Sequence, residues 1–166
     1  MTMLMSTPTP EVEHGAWLDS RPGAPIIAAV DDSASSRAAV EDAVTLAAEL
    51  DVPLVFVHVR RGPASVFGGP VYKRRLAKEM GRARRVVERA LRTAKVAEVS
   101  AEAEILEGSP RRRIVEFARD RGAQLMVVGS QRPRLRRSIA HAVARAADRP
   151  VVVAARDRSD ELVRAA

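Results

Sequence analysis

The sequence predicts an α/β protein: a doubly wound, five-stranded parallel sheet in the order 3-2-1-4-5, with helices on both faces. Three observations predict it. Short runs such as PIIAAV at 25–30, LVFVHV at 54–59, LMVV at 125–128 and VVV at 151–153 are almost wholly apolar, as strands buried on both faces are. Between these runs lie stretches with the apolar period of a helix. One further run, Ala101 to Leu106, alternates with Glu102 and Glu104, as an edge strand with one wet face does. Right-handed crossovers and short connections then place strand 1 in the middle, strands 2 and 3 on one side, and strands 4 and 5 on the other.

Taken in order, residues 1–24 hold Thr7-Pro8-Thr9-Pro10 and Arg21-Pro22-Gly23 and show no sustained period. They read as a flexible leader, with Trp17 and Leu18 as docking candidates. A domain spans 25–154 and a polar tail 155–166. After Pro25 to Val30, Asp31-Asp32-Ser33 closes the first strand, with Ser33 the natural N-cap of a helix from Ala34 to Leu50. The expected buried stripe of that helix is Ala39, Ala43, Leu46, Ala47 and Leu50, and Asp51-Val52-Pro53 ends it. The second strand, Leu54 to Val59, runs into a Gly/Pro loop at 60–70. A long helix follows from Val71 to Val96, with Leu76, Met80, Ala83, Val87 and Leu91 on one face and Lys73, Arg74, Lys78, Arg82, Arg85, Arg89 and Arg92 over much of the rest.

Beyond the alternating third strand, Glu107-Gly108-Ser109-Pro110 is a turn, with Ser109 as N-cap and Pro110 in the first helical position. The helix Arg111 to Arg121 is expected to bury Ile114, Phe117 and Ala118, with Gly122 capping its end. The remaining stretch, Gln124 to Ala154, reads strand, basic loop, helix from Ser138 to Ala147, and strand. Asp148-Arg149-Pro150 stops that last helix.

Composition narrows the function. The absence of cysteine excludes disulfides, thiolate metal sites and cysteine nucleophiles. No apolar run approaches the roughly 20 residues of a membrane span, and the N-terminus lacks the pattern of a signal peptide. A cytoplasmic protein with no membrane partner is the expectation. The net charge of +7 suits either a polyanion partner or solvated arginine-rich faces. Aromatics make up only 3%, which argues against single-strand binding by base stacking, so a nucleic-acid partner is not the expectation.

In a sheet of this order the switch point lies between strands 1 and 4, and ligands sit there at the carboxyl ends of the strands. Asp31 and Gly129 therefore face each other across one crevice, and the loop Gly129 to Arg137 is the first place to look for chemistry. Asp31 could accept a hydrogen bond from a ligand amine or ribose hydroxyl, and Asp31 with Asp32 could hold Mg²⁺ beside ligand phosphates. The alternative is that both simply favour a helix N-terminus. Gly129-Ser130 would let a phosphate approach the backbone, or is a plain tight turn. Arg132, Arg134, Arg136 and Arg137 supply four cations that suit either a phosphate clamp or a solvated loop. His58 and His141 lack the spacing of a catalytic or metal site, and His58 reads as a buried, hydrogen-bonded residue. Arg111-Arg112-Arg113 opens a helix, the unfavourable end for cations, which fits an anion or partner contact as well as surface tolerance.

Five motifs, in order, resemble the universal stress protein family: IIAAVDDS at 26–33, LVFVHV at 54–59, LEGSP at 106–110, LMVVGS ending at Ser130, and DRPVVV at 148–153. Together they span about Pro25 to Ala154. The resemblance implies the same fold, a non-enzymatic stress-response role, a bound adenine nucleotide (ATP, AMP or cyclic AMP) and a homodimer. Mg²⁺ enters only with a phosphate ligand. The resemblance implies that Asp31 and Val59 touch the adenosine half, and that the phosphates lie on a G-x2-G-x9-G-[ST] loop. Gly129 matches the first glycine and is followed by Ser130; Arg132 and Arg137 stand at the second and third glycine positions, and Ser138 closes the motif. Four residues rather than nine separate Arg132 from Arg137, so this loop is not expected to wrap phosphates in the family's way. The arginines would instead grip a smaller or different anion.

Two other readings stay open: a basic adaptor that contacts a protein or nucleic acid and, less favoured, an enzyme hydrolysing a nucleotide, for which no base is visible. Val151 to Ala154 has no charge and lies at the sheet edge, a pairing hazard. The resemblance implies that two copies pair there, antiparallel, across a two-fold axis.

Overall fold

The computed structural model describes residues 23–62, 69–130 and 138–155. The leader to residue 22, the loop 131–137 with Arg132, Arg134, Arg136 and Arg137, and the tail from 156 lie outside the described residues. The elements run β1 (Ile26–Ala29), α1 (Ala34–Leu50), β2 (Leu54–Arg60), α2 (Pro70–Val96), β3 (Ala101–Glu107), α3 (Pro110–Asp120), β4 (Leu125–Ser130), α4 (Ile139–Ala146) and β5 (Val151–Ala155). The sheet order is β3-β2-β1-β4-β5 and every pairing is parallel, as expected. In register, Ile26 of β1 lies between Leu54 of β2 and Leu125 of β4.

The apolar runs are apolar because both faces of the sheet are covered. Ile26, Ala28, Leu54, Phe56, Leu125 and Val127 pack against α1 and α2 on one face. Ile27, Val55, Val57, Met126 and Val128 pack against α3 and α4 on the other. Phe56, Ile26, Ile27, Leu54 and Met126 are fully buried, and each such side chain stabilises the fold by about 1.5–3 kcal/mol relative to exposure.

Three details differ from the sequence expectation. On α1 the buried stripe is rotated to Val40 and Val44, leaving Leu46 half-buried and Leu50 exposed, because the helix meets the sheet on the valine side of its alanine row. On α2 the buried residues are Ala83, Val86, Val87, Ala90 and Ala94. Leu76 and Met80 are only half-buried, as is Leu91. A 27-residue helix is about 40 Å long, whereas the seven-residue β2 spans about 23 Å, so the first half of α2 overhangs the sheet. On α3, Val115 is buried where Phe117 was expected, and Phe117 is half-buried, its ring beneath the Arg121 guanidinium at 5.1 Å. Ser109 precedes that helix but makes no side-chain cap; its carbonyl accepts from Arg113 N–H at 2.9 Å. Glu102 and Glu104 of β3 point outward and pair with Arg121, which closes the edge strand with charge.

Candidate functional site

At the carboxyl end of β1 the chain is locked by short local bonds. Asp31 N–H donates to Ser36 Oγ at 2.8 Å, and Asp31 Oδ1 accepts from Ser33 N–H at 2.8 Å. Ser33 caps α1, its Oγ accepting from Ser36 N–H at 3.1 Å and lying 3.0 Å from Ser35 Oγ. This turn holds Asp31 at the strand end with its side chain exposed. Asp32 points away: its carboxylate meets Arg82 at 2.5 Å and Arg89 at 4.0 Å on α2. The hydrogen bond that Arg82 Nε–H donates to the Asp32 carboxylate raises the guanidinium above its ordinary value, with the Asp32 charge acting in the same direction. The two aspartates therefore face different neighbours and do not present a carboxylate pair. Among the described residues no group of three His, Cys, Asp or Glu could hold a metal ion.

Across the crevice, β4 reaches the first turn of α1. A Cβ at Gly129 would lie 2.4 Å from the Ser35 carbonyl oxygen and 2.8 Å from Ser36 N. The glycine thus lets β4 pass against the helix backbone, a packing reason distinct from ligand approach. The next residue, Ser130, is 3% exposed, and its Oγ has no hydrogen-bond partner among the described residues. A buried hydroxyl without a partner is uncommon and costs about 1–3 kcal/mol unless something satisfies it. Past the undescribed loop, Ser138 caps α4 by accepting from His141 N–H at 3.1 Å.

These groups line one crevice of about 440 Å³, a size typical of small-molecule sites. Its polar side comprises Asp31, Ser33, Ser35, Ser36, Ser130 and Ser138, with the N-termini of α1 and α4 both at its rim. Its apolar side comprises Val57, Val59, Pro110 and Ile114. Five of the residues singled out in the sequence (Asp31, Val59, Gly129, Ser130 and Ser138) come together here; Arg132 and Arg137 lie outside the described residues. The sequence reading missed Ser35, whose signal was the serine-rich start of α1, and Pro110 with Ile114, which only the tertiary fold brings over from α3. His58 is not part of the crevice: its Nδ1 lies 2.8 Å from the Val30 carbonyl, to which it must donate. Arg112 and Arg113 are engaged with Glu116 on their own helix. Asp31 is the only carboxylate among the described residues that line the crevice, and no His, Cys or Lys does so.

An apolar wall opposite a polar floor at two helix N-termini suits a ligand with a flat apolar part and an anionic part. The family model described as the universal stress protein family matches residues 24–155. Among curated proteins none matches this sequence. Similar solved structures include a protein of the universal stress protein family from Burkholderia pseudomallei, 26% identical with a TM-score of 0.64, covering 79% of this chain and 95% of that one. Another is the universal stress protein from Archaeoglobus fulgidus in complex with dAMP, 23% identical with a TM-score of 0.64, covering 80% of this chain and 98% of that one. A third is a universal stress protein family protein from Arabidopsis thaliana with AMP bound, 21% identical with a TM-score of 0.66, covering 82% of this chain and 94% of that one.

Proposed function

Because the chain belongs to the universal stress protein family, we propose that it is a stress-response binding protein whose crevice takes an adenine nucleoside monophosphate without turning it over. The observation that carries this reading is Ser130: a buried hydroxyl, unpartnered among the described residues, on the wall of a crevice rimmed by two helix N-termini. In this reading the phosphate accepts from Ser130 Oγ and from free N–H groups at the start of α1 or α4. The base lies against Val57, Val59 and Ile114, and Asp31 accepts from the ribose hydroxyls. Monophosphates are favoured over ATP because only four residues lie between Arg132 and Arg137, too few to wrap a triphosphate chain. AMP and dAMP in the two structural relatives support the ligand class. Turnover is not proposed, since among the described lining residues Asp31 is the only group suited to act as a base, and it is tied to Ser33 N–H. Among the described residues there is no prepared carboxylate pair for Mg²⁺, which would enter only with a phosphate ligand.

The reading includes a cytoplasmic setting and a homodimer paired through Val151–Ala154. On this edge strand Val153 is 38% exposed, and no helix among the described residues is long and apolar enough to cross a membrane. A thermal-shift panel of AMP, cyclic AMP and ATP tests the ligand. The expected order of stabilisation at equal concentration is AMP above ATP, because the shift grows with ligand over Kd. No shift with any of the three, or an AMP shift unchanged in Asp31→Ala, overturns the assignment.

A further inference from the structure

The chain's positive charge is not spread over its surface. Helix α2 contains ten lysines and arginines against Glu79 and Glu88, a net charge of +8 on a chain whose total is +7; the other residues together come to −1. Composition bias toward arginine does not explain this. Helix α1 has one cation, Arg37, against Glu41, Asp42 and Glu49. All ten α2 cations are exposed. Asp32 engages only Arg82 and Arg89, and the other eight make no ion pair among the described residues. At 100° per residue, Arg74, Lys78, Arg85 and Arg92 fall within one narrow stripe, opposite the buried row Ala83, Val86, Ala90 and Ala94. The stripe runs for about 27 Å, and its first half stands on the overhang where no residue before Ala83 is buried.

We propose that this stripe of α2 docks on the phosphodiester backbone of a nucleic-acid duplex, independently of what the crevice holds. The chemistry of the face selects that partner. A protein partner would need apolar or aromatic anchors, and along the stripe there are none; the exposed Val71 and Val96 sit at the two ends of the helix. A membrane surface would need an apolar helix face to bury beside the cations; Val86, Val87, Ala90 and Ala94 are packed in the core, and the half-buried Leu76 and Met80 lie on the side of α2 away from the stripe. Single strands would need stacking platforms, which a chain with one Trp, one Tyr and three Phe hardly supplies. A duplex asks for none of these: it presents a charge about every 1.7 Å, and backbone contacts position a protein without reading bases.

The test is fluorescence anisotropy of the full chain with labelled 20-base-pair DNA and RNA duplexes at about 50 and 200 mM salt. Four phosphate contacts predict a slope of about −3.6 in log affinity against log salt, a loss of roughly 100-fold between those concentrations. The quadruple variant Arg74→Glu, Lys78→Glu, Arg85→Glu, Arg92→Glu is expected to lose at least about tenfold in affinity at 50 mM salt. A matched variant with the same charge change, Arg37→Glu, Arg61→Glu, Arg111→Glu, Arg145→Glu, is expected to stay within about threefold. Whichever duplex binds identifies the source of the backbone. The proposal is overturned if neither duplex binds, if both quadruple variants lose affinity equally, or if polyglutamate at equal charge displaces the duplex. Circular dichroism confirms that each variant is folded, and an AMP shift retained in the α2 variant separates this surface from the crevice.

Discussion

Replacing Gly129 with alanine tests why a glycine stands at the end of β4. The added Cβ would lie 2.4 Å from the Ser35 carbonyl oxygen, 2.5 Å from Ser35 C and 2.8 Å from Ser36 N, and all three are backbone atoms. Ordinary contact begins near 3.4 Å, so the start of α1 or the end of β4 must retreat by about 1 Å. A side-chain neighbour could rotate away, but the first turn of a 17-residue helix capped by Ser33 cannot. Overpacking of this kind costs about 1–3 kcal/mol, and the rigid neighbours place Gly129→Ala at the upper end. For a domain of this size that is a fall in Tm of roughly 6–12 °C, read by differential scanning calorimetry without ligand. A variant within about 2 °C of the parent would refute the packing argument, and the glycine would then have to be explained by ligand approach.

Phe56→Ala removes a fully buried ring from the central sheet and should cost about 3–5 kcal/mol, measured by urea unfolding. Ser33→Ala removes the cap of α1 and the partner of Ser36 N–H; a loss of about 1 kcal/mol in the same assay is expected. Val153→Lys places a charge on the exposed position of β5 and should shift a dimer toward monomer in light scattering, with Tm changed by no more than a few degrees. A parent chain already monomeric at micromolar concentration would remove the edge-pairing proposal. Ser130→Ala should leave the fold intact, or slightly more stable, while AMP affinity falls about tenfold or more, since a hydrogen bond to a charged group contributes about 1.5–3 kcal/mol.

The sheet was legible because burial on both faces makes its strands apolar without alternation, and because β3, the exception, carries outward carboxylates. Helix ends were legible where a side chain does the capping, as at Ser33 and Ser138. Which flank of a helix meets the sheet was less so. Alanines sit beside valines on α1, and a rotation of one position exchanges Leu46 and Leu50 for Val40 and Val44 at little cost in pattern. The overhang of α2 could not be read locally, because it depends on the length of the strands beneath. In the crevice, Asp31 and Gly129 were placed by topology alone, since both follow strands that neighbour at the switch point. The division of labour between Asp31 and Asp32 was not legible, because Arg82 and Arg89 lie at least 50 residues away in the chain. Nor was the packing role of Gly129, which depends on how closely α1 crosses β4.

The most direct test of the central claim is an AMP titration followed by amide chemical shifts in ¹⁵N-labelled protein. Saturable shifts are expected at Asp31, Ser35, Val59, Ser130 and Ile139, which surround the crevice, and none along the outer stripe of α2. Shifts confined to α2, or none at a millimolar excess of AMP, would contradict it.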